Sequence, residues 1–413
     1  MGNRHFIVIG AGIVGISTAL YLQKDGHRVT VIDKVGPGEG TSKGNAAVIA
    51  TESCVPVATP GVLWDVPKML MDPLGPLAIR WSYLPKIAPW LLRFVAASSE
   101  KRVEQISITL RSALVQALAA HKELAALAGQ SLMIKDTGWL GVFEGDEKFK
   151  SYQWDLDLQT RRGVKFQVLK QEEIRQFEPS LQPIYRHAVY YPENSYVTDN
   201  FALVQRLANQ FVAQGGTLVQ APVEGFEIGA DGPTAVRAGG KAYACDAVVV
   251  AAGAWSKKLS QMLGHNVPLD TERGYHVTLP RAEKRPRMPL YSGDHSFAIT
   301  PLDVGLRFAG TVELGGLEAA PNYARAEKLM KHGRRMFGEM DETGRTDWMG
   351  FRPSMPDSVP VISQGGRFKN TYFGFGHGHI GLTLGPVTGR IISDLVANRD
   401  PGLDMQPFRI DRF

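Results

Sequence analysis

The chain has 413 residues, 44% hydrophobic and 21% charged, with 46 basic and 41 acidic side chains and a net charge of +5. This composition excludes a disordered or fibrous protein, and the length supports two or three domains or one elaborated α/β unit. The basic residues are scattered rather than gathered in a stripe, which argues against a nucleic-acid binder and leaves a weak match to an anionic substrate or membrane surface.

The apolar run 6–22 follows Arg4 in the manner of a signal peptide. Three glycines interrupt it, and Gln23-Lys24-Asp25-Gly26 stands where a small-residue cleavage site would fall, so a folded N-terminus is expected. Residues 5–9 predict a buried strand, 13–24 a helix closed by Gly26, and 28–32 a second buried strand. Together these form a βαβ unit that opens a parallel sheet. Residues 53–99 are rich in Pro, Trp, Leu and Met and predict short helices and loops. Cys54 and Cys245 are far apart and make no metal or redox spacing, which points to free thiols in a reducing compartment.

The spacing of Val103, Ile106, Leu110, Leu114, Leu118 and Leu124 predicts one long helix over 100–127. Residues 139–143 predict a strand and 200–214 a helix ended by Gly215-Gly216. Short strands at 217–220, 225–228 and 235–238 precede the Val/Ala run 246–251, which must be buried on both faces. A hairpin around Pro301, a strand at 371–375 and a helix at 383–398 complete the pattern. The fold class is therefore α/β: a discontinuous Rossmann-like domain interrupted by an α+β, antiparallel-sheet domain. The expected segments are 1–52, 100–134, 199–264 and 341–413 for the first, and 53–99, 135–198 and 265–340 for the second.

Gly10, Gly12 and Gly15 form GxGxxG between the first strand and helix, with Ile13 and Val14 inside it. The first glycine allows a tight turn, the second phosphate approach, and the third helix–strand packing. Asp33 stands 18 residues beyond Gly15, where a carboxylate accepts ribose hydroxyls and repels a 2′-phosphate, despite Lys34 beside it. Thr41, Ser42, Asn45, Ala46 and Ala47 then offer hydroxyls, an amide and small residues, suited to a second phosphate and a close flat ring. Ala252, Gly253 and Trp255 end the buried Val/Ala strand with similar room. An NAD-linked dehydrogenase would leave the 41–47 and 376–383 segments unexplained.

These segments, with Arg273-Gly274-Tyr275-His276-Val277, the GFRPSMPDSVPVI block at 350–362 and the GHGHIGLTLGP block at 376–386, resemble the D-amino acid oxidase/dehydrogenase (DAO) family of flavoproteins. Within that family the chain is most similar to bacterial D-amino acid dehydrogenases, and the last two blocks to hydroxy-D-proline dehydrogenases. The resemblance implies FAD, a backbone contact from Val223 on the adenine side, and contacts at Gly253 and Trp255. Relatives with covalent flavin use a cysteine late in the chain; none follows Cys245, so non-covalent FAD is expected. His377, Gly378, His379, Ile380, Gly381, Leu382 and Thr383 lead into the final helix, whose N-terminus would stabilise charge building at the flavin's pyrimidine edge. No metal spacing joins His276, His377 and His379 to further ligands.

The implied reaction is hydride loss from the Cα of a D-amino acid or a D-proline-type imino acid to flavin N5, giving an imine. Electrons pass to an acceptor other than oxygen, such as a quinone or an electron-transfer protein. An oxygen-using glycine/sarcosine-type oxidase and a flavin subunit of a heteromeric complex are the alternatives. Arg352 is the expected carboxylate clamp, the competing reading being a structural pair with Asp357. Tyr275 reads equally as a carboxylate partner or a core aromatic. Glu313 reads as a group steering the substrate nitrogen or a solvated strand end, and His295 is a further candidate on the substrate side. Residues 81–95 read as buried, as a subunit contact in a homo-oligomer, or as a basic membrane-interface segment. The expected setting is cytoplasmic, with peripheral contact at the inner face of the membrane as the other option.

Overall fold

The computed structural model describes residues 3–61, 71, 74–75 and 77–413. Strands rich in Val and Ile build the central sheet, in the order Thr217–Gln220, Arg28–Asp33, His5–Ile9, Ala247–Val250, Thr371–Phe375 and Val361–Gln364. All neighbours run parallel except the last pair. Residues 6–9 and 247–250 are buried on both sides, as their unbroken apolar sequence requires. The helices Ile13–Lys24 and Gly381–Val396 pack together against this sheet. Their close approach depends on Gly389, where a Cβ would stand 2.6 Å from the Thr18 backbone nitrogen.

A second, larger sheet joins Thr346–Ser354, Asp270–Leu279, Gly305–Leu314, Phe297–Leu302, Leu290–Ser292, Trp139–Phe143, His187–Tyr191 and Gln167–Lys170, with Leu77–Ile79 added beside Gly305–Leu314. It is mixed rather than purely antiparallel. Leu290–Ser292 runs parallel to Trp139–Phe143, and Leu77–Ile79 parallel to Gly305–Leu314. The strand Thr346–Ser354 carries Arg352 from the C-terminal part of the chain into this sheet. The helix Ala324–Phe337 covers it through Leu329, Met330, Met336 and Phe337. A small antiparallel sheet of Val223–Gly229, Gly232–Ala238 and Lys241–Ala244 bridges the central strands.

Three expectations change. The helix expected over 100–127 is two, Glu100–Leu114 and Ala117–Leu127, broken at the exposed Val115. The break lets the small Ala117/Ala120 face lie against Gly381–Val396. The hairpin turns at 303–304 rather than at Pro301, which remains paired with Leu306, and Gly305 at φ +132° lets the chain pass the Leu279 carbonyl. Within 53–99, Leu84–Ala97 is a full 14-residue helix. Ile87, Trp90 and Phe94 are buried on it, while Trp81 and Leu92 are 65% and 74% exposed. Residues 62–70, 72–73 and 76 of that stretch lie outside the described residues. No helix among the described residues is long and apolar enough to cross a membrane.

Candidate active site

A cavity of about 1050 Å³ runs between the two large sheets. One end is made largely by backbone. Gly10 sits at φ +109°, and a Cβ there would lie 2.3 Å from the Ala251 carbonyl oxygen. Gly15 does not line the cavity; its missing side chain admits the Gly10 carbonyl, 1.8 Å from where a Cβ would be. Only Ser42 Oγ, at 3.2 Å, comes near a Cβ built on Gly12, so the groove over this turn stays open to the cavity.

Asp33 closes this end. Its Oδ2 accepts from Ala11 N–H at 2.8 Å, and Oδ1 accepts from the Val35 and Gly36 N–H groups. Acceptor capacity remains on Oδ2, as ribose hydroxyls require. Lys34 Nζ stands 3.3 Å from the centroid of the Trp255 ring, and Val223, Ala252 and Gly253 complete the wall. The first turn of Ile13–Lys24 presents N–H groups to the cavity, one of which, on Ile13, donates to Ser42 Oγ at 3.0 Å. A backbone-lined groove, a helix N-terminus and a fixed carboxylate fit a dinucleotide.

The middle of the cavity is shaped by the 41–47 loop. Asn45 Nδ2 donates to the Thr41 and Ser42 carbonyls, and its Oδ1 accepts from Ala47 N–H, holding Ala47 at φ +58°. Four groups that the sequence reading missed anchor this loop from the other sheet. Arg307 donates to the Lys43 and Asn45 carbonyls, Thr300 Oγ1 to the Ala46 carbonyl, and His276 Nδ1 lies 2.8 Å from the Gly44 carbonyl. Trp348 stacks on His276 and fills the space over Gly44 and Gly350. Burial, then Arg307, depress His276 to about 3, so it is a neutral ring. Such anchors carry no local motif; they are legible only once strand register is known.

Across from the loop, residues 377–383 line the cavity. Thr383 Oγ1 accepts from Ala50 N–H, and His377 Nε2 lies 2.8 Å from Thr388 Oγ1. Burial depresses His377 to about 3. His379 Nε2 lies 2.8 Å from Glu272 Oε2. Among the described residues no cluster of His, Cys, Asp and Glu could hold a metal.

Arg352 stands at the far end, on the cavity wall. It is not paired with Asp357, whose carboxylate is held by Arg412. The guanidinium donates to the Thr311 carbonyl at 2.9 Å and packs over Gly274, where a Cβ would be 2.4 Å from Cζ. Among the described residues no carboxylate forms an ion pair with it. Burial pulls its pKa down, and the neighbouring charge of Glu272 works against that shift. Thr311 is itself unusual. It sits at φ +57°, in a bulge where the register with Asp270–Leu279 slips between Arg273 and Tyr275.

Three sequence candidates are placed differently from expectation. Past the bulge Glu313 turns away from the cavity and is buried, held by Arg80 Nε at 2.6 Å, Arg273 at 3.1 Å and the Tyr275 hydroxyl at 2.5 Å. Its charge is spent inside the protein, so it does not steer a substrate nitrogen. Tyr275 lines the cavity with its ring, but its hydroxyl donates to Glu313 and accepts from Asn322 N–H, which removes it as a donor to substrate. His295 is off the cavity altogether. Ser296, at φ +55°, turns the chain so that His295 stacks on His332 at 3.8 Å and faces Glu144. Leu77, Trp139, Tyr291, Phe297 and Val312, none of them singled out from sequence, wall the remaining space; Trp139 and Tyr291 are stacked at 5.6 Å.

Comparison with known proteins agrees with this geometry. The family model described as FAD dependent oxidoreductase (DAO) matches residues 5–395. A protein named D-amino-acid oxidase from Bradyrhizobium diazoefficiens is 41% identical over 100% of this chain and 99% of its own. One named D-amino acid dehydrogenase from Paramagnetospirillum magneticum is 32% identical, covering 98% of each. The glycine oxidase structure from Geobacillus kaustophilus superposes with a TM-score of 0.76 at 19% identity over both full chains. The L-proline dehydrogenase structure from P. horikoshii gives 0.73 at 20% identity, covering 100% of this chain and 98% of its own. At those identities the structures speak for the fold.

Proposed function

The chain belongs to the DAO family of FAD-dependent oxidoreductases and acts on amino acids, and from that premise we propose that it dehydrogenates a D-amino acid or a cyclic imino acid of the D-proline or hydroxy-D-proline type. FAD, held along the groove of Gly10, Gly12 and Asp33, would supply the two-electron acceptor for oxidation of the amine to an imine. The protein's task is then to bind and aim. The observation that carries this reading is Arg352: a half-buried guanidinium on the cavity wall, tethered by one backbone carbonyl and without a carboxylate partner among the described residues. A substrate carboxylate supplies that partner in bidentate form. The apolar walls from Leu77, Trp139, Tyr291 and Val312 exclude water and hold the Cα–H toward the cofactor.

In this reading the segments 1–52, 100–134, 199–264 and 341–413 serve the cofactor, and 53–99, 135–198 and 265–340 cover the substrate. FAD is held without a covalent bond, the acceptor is a quinone or electron-transfer protein, and the setting is cytoplasmic or peripheral to the membrane. Purified protein is expected to be yellow and to lose that colour when mixed with a D-amino acid or D-proline under argon. A colourless protein, or one that no such substrate bleaches, refutes the proposal. A second reading, an oxidase that reduces oxygen, is favoured by the name of the 41%-identical relative. Stoichiometric peroxide in air selects it; turnover only with an artificial dye selects the dehydrogenase.

A further inference from the structure

Arg352 belongs to an edge strand of the second sheet, yet the carbonyl that holds it belongs to a strand two places away. The guanidinium reaches it by crossing Asp270–Leu279 over Gly274. The sheet is irregular at that point. Arg273 pairs with Glu313 and Tyr275 with Gly310, so Thr311 and Val312 together face the single residue Gly274. The extra residue of such a bulge drops out of the regular ladder, and here the Thr311 carbonyl takes the guanidinium at 2.9 Å.

The bulge is costly. Thr311 is β-branched and sits at φ +57°, and its buried hydroxyl has no hydrogen-bond partner. Such a conformation persists only where its surroundings impose it. Glu313 is placed to do so. Its Oε2 accepts from Arg273 at 3.1 Å and from the Tyr275 hydroxyl at 2.5 Å. These two residues flank Gly274, so one carboxylate fastens both sides of the slipped register. Arg80 Nε donates to the other oxygen at 2.6 Å, and Leu77–Ile79, just ahead of Arg80, pairs with residues 312–314. Burial alone would raise the Glu313 pKa, but Tyr275, Arg80 and Arg273 outweigh it and hold the carboxyl below its usual range.

Resting on the function proposed above, we infer that Glu313 is a positioning residue for the substrate-carboxylate clamp: by fixing the bulge at Thr311 it holds the carbonyl that aims Arg352. Glu313 itself is not on the cavity wall. Its bare charge acts in the opposite sense, because an anion near Arg352 repels an arriving carboxylate. Loss of the charge alone would therefore tighten carboxylate binding, whereas loss of the positioning weakens it.

The test uses wild-type holoenzyme, Glu313→Gln, Arg352→Lys and the double variant, titrated with acetate and followed by the flavin spectrum. Glu313→Gln is expected to weaken acetate binding about tenfold in the wild-type background and to add almost nothing beside Arg352→Lys, at unchanged flavin content. A general loss of structure would not show that coupling. Tyr275→Phe keeps the buried ion pair and removes one of the two links across the bulge. A loss of about threefold is expected there, again absent beside Arg352→Lys. This variant decides the question where Glu313→Gln is not recovered with flavin. Unchanged or tighter acetate binding in the deciding variant, or equal weakening in both backgrounds, overturns the positioning role. Acetate binding in Arg352→Lys equal to that of the wild type overturns instead the clamp, and with it the function on which the role rests.

Discussion

The two ends of the cavity are built by different rules. At the glycine-turn end the wall is largely backbone: Gly10 and Gly15 matter because of what a Cβ would strike. At the other end, charged side chains from distant strands are brought together, as Glu313 is with Arg80 and Arg273. The first end tolerates almost no added atom. The second depends on charges that cannot be removed singly.

The largest effect expected from this contrast is at Gly15. Gly15→Val puts carbon 1.8 Å from the Gly10 carbonyl oxygen, which no local shift relieves, so the protein is expected to be recovered without flavin or not at all. Absorbance at the flavin band checks this, and normal flavin content would break the backbone half of the comparison. Next comes Glu313→Ala, which leaves Arg273 buried without its counter-charge. A loss of about 3–5 kcal/mol in unfolding free energy is expected, measured by denaturant titration of the holoenzyme. A loss under about 1 kcal/mol would mark the pair as no more than a surface-type bridge.

Acid sharpens the same contrast. Burial depresses His121 to about 4 and His276 and His377 to about 3, against 6.5 in an unfolded chain. Their contribution is complete above pH 6.5. As pH falls below that value only the unfolded state takes up these protons, and stability is lost progressively toward pH 3–4. At pH 5 each group costs on the order of 2 kcal/mol. Calorimetry between pH 7.5 and 5 should show a falling Tm, with a shallower fall in His276→Asn; a flat profile would contradict the buried neutral rings. Smaller still is Trp255→Ala. It removes the cation–π contact with Lys34 and should change FAD affinity by about 0.5–1 kcal/mol, read from flavin release by dilution.

The same division explains what was legible in the sequence. The glycine-turn end is written locally, since Gly10, Gly12, Gly15 and Asp33 lie within one strand–helix–strand unit whose turn chemistry is short-range. The 41–47 and 377–383 segments were legible for the same reason, as runs of small and polar residues beside predicted elements. Arg352 could be singled out because its flanking motif is distinctive, and it does line the cavity. Glu313, His295 and the Tyr275 hydroxyl were not readable. A left-handed residue redirects the chain beside two of them, Thr311 before Glu313 and Ser296 after His295, and the third meets its partner across a strand pair 38 residues apart in sequence. The single long helix over 100–127 failed similarly, because a break at Val115 leaves the spacing of apolar residues almost unchanged.

The central claim is that Arg352 receives the carboxylate of the substrate beside the cofactor. Arg352→Lys replaces a two-pronged clamp by a point charge, and Gly274→Ala pushes a methyl to 2.4 Å from the guanidinium carbon. Titrating wild-type holoenzyme and both variants with a simple carboxylate lacking an amine, followed by the flavin spectrum, isolates the grip from the chemistry. Binding weakened by roughly tenfold or more in both variants, at unchanged flavin content, is the predicted result, in line with the loss of about 1.5–3 kcal/mol for a charged hydrogen bond. Equal affinity in all three proteins would place the carboxylate elsewhere and contradict the account.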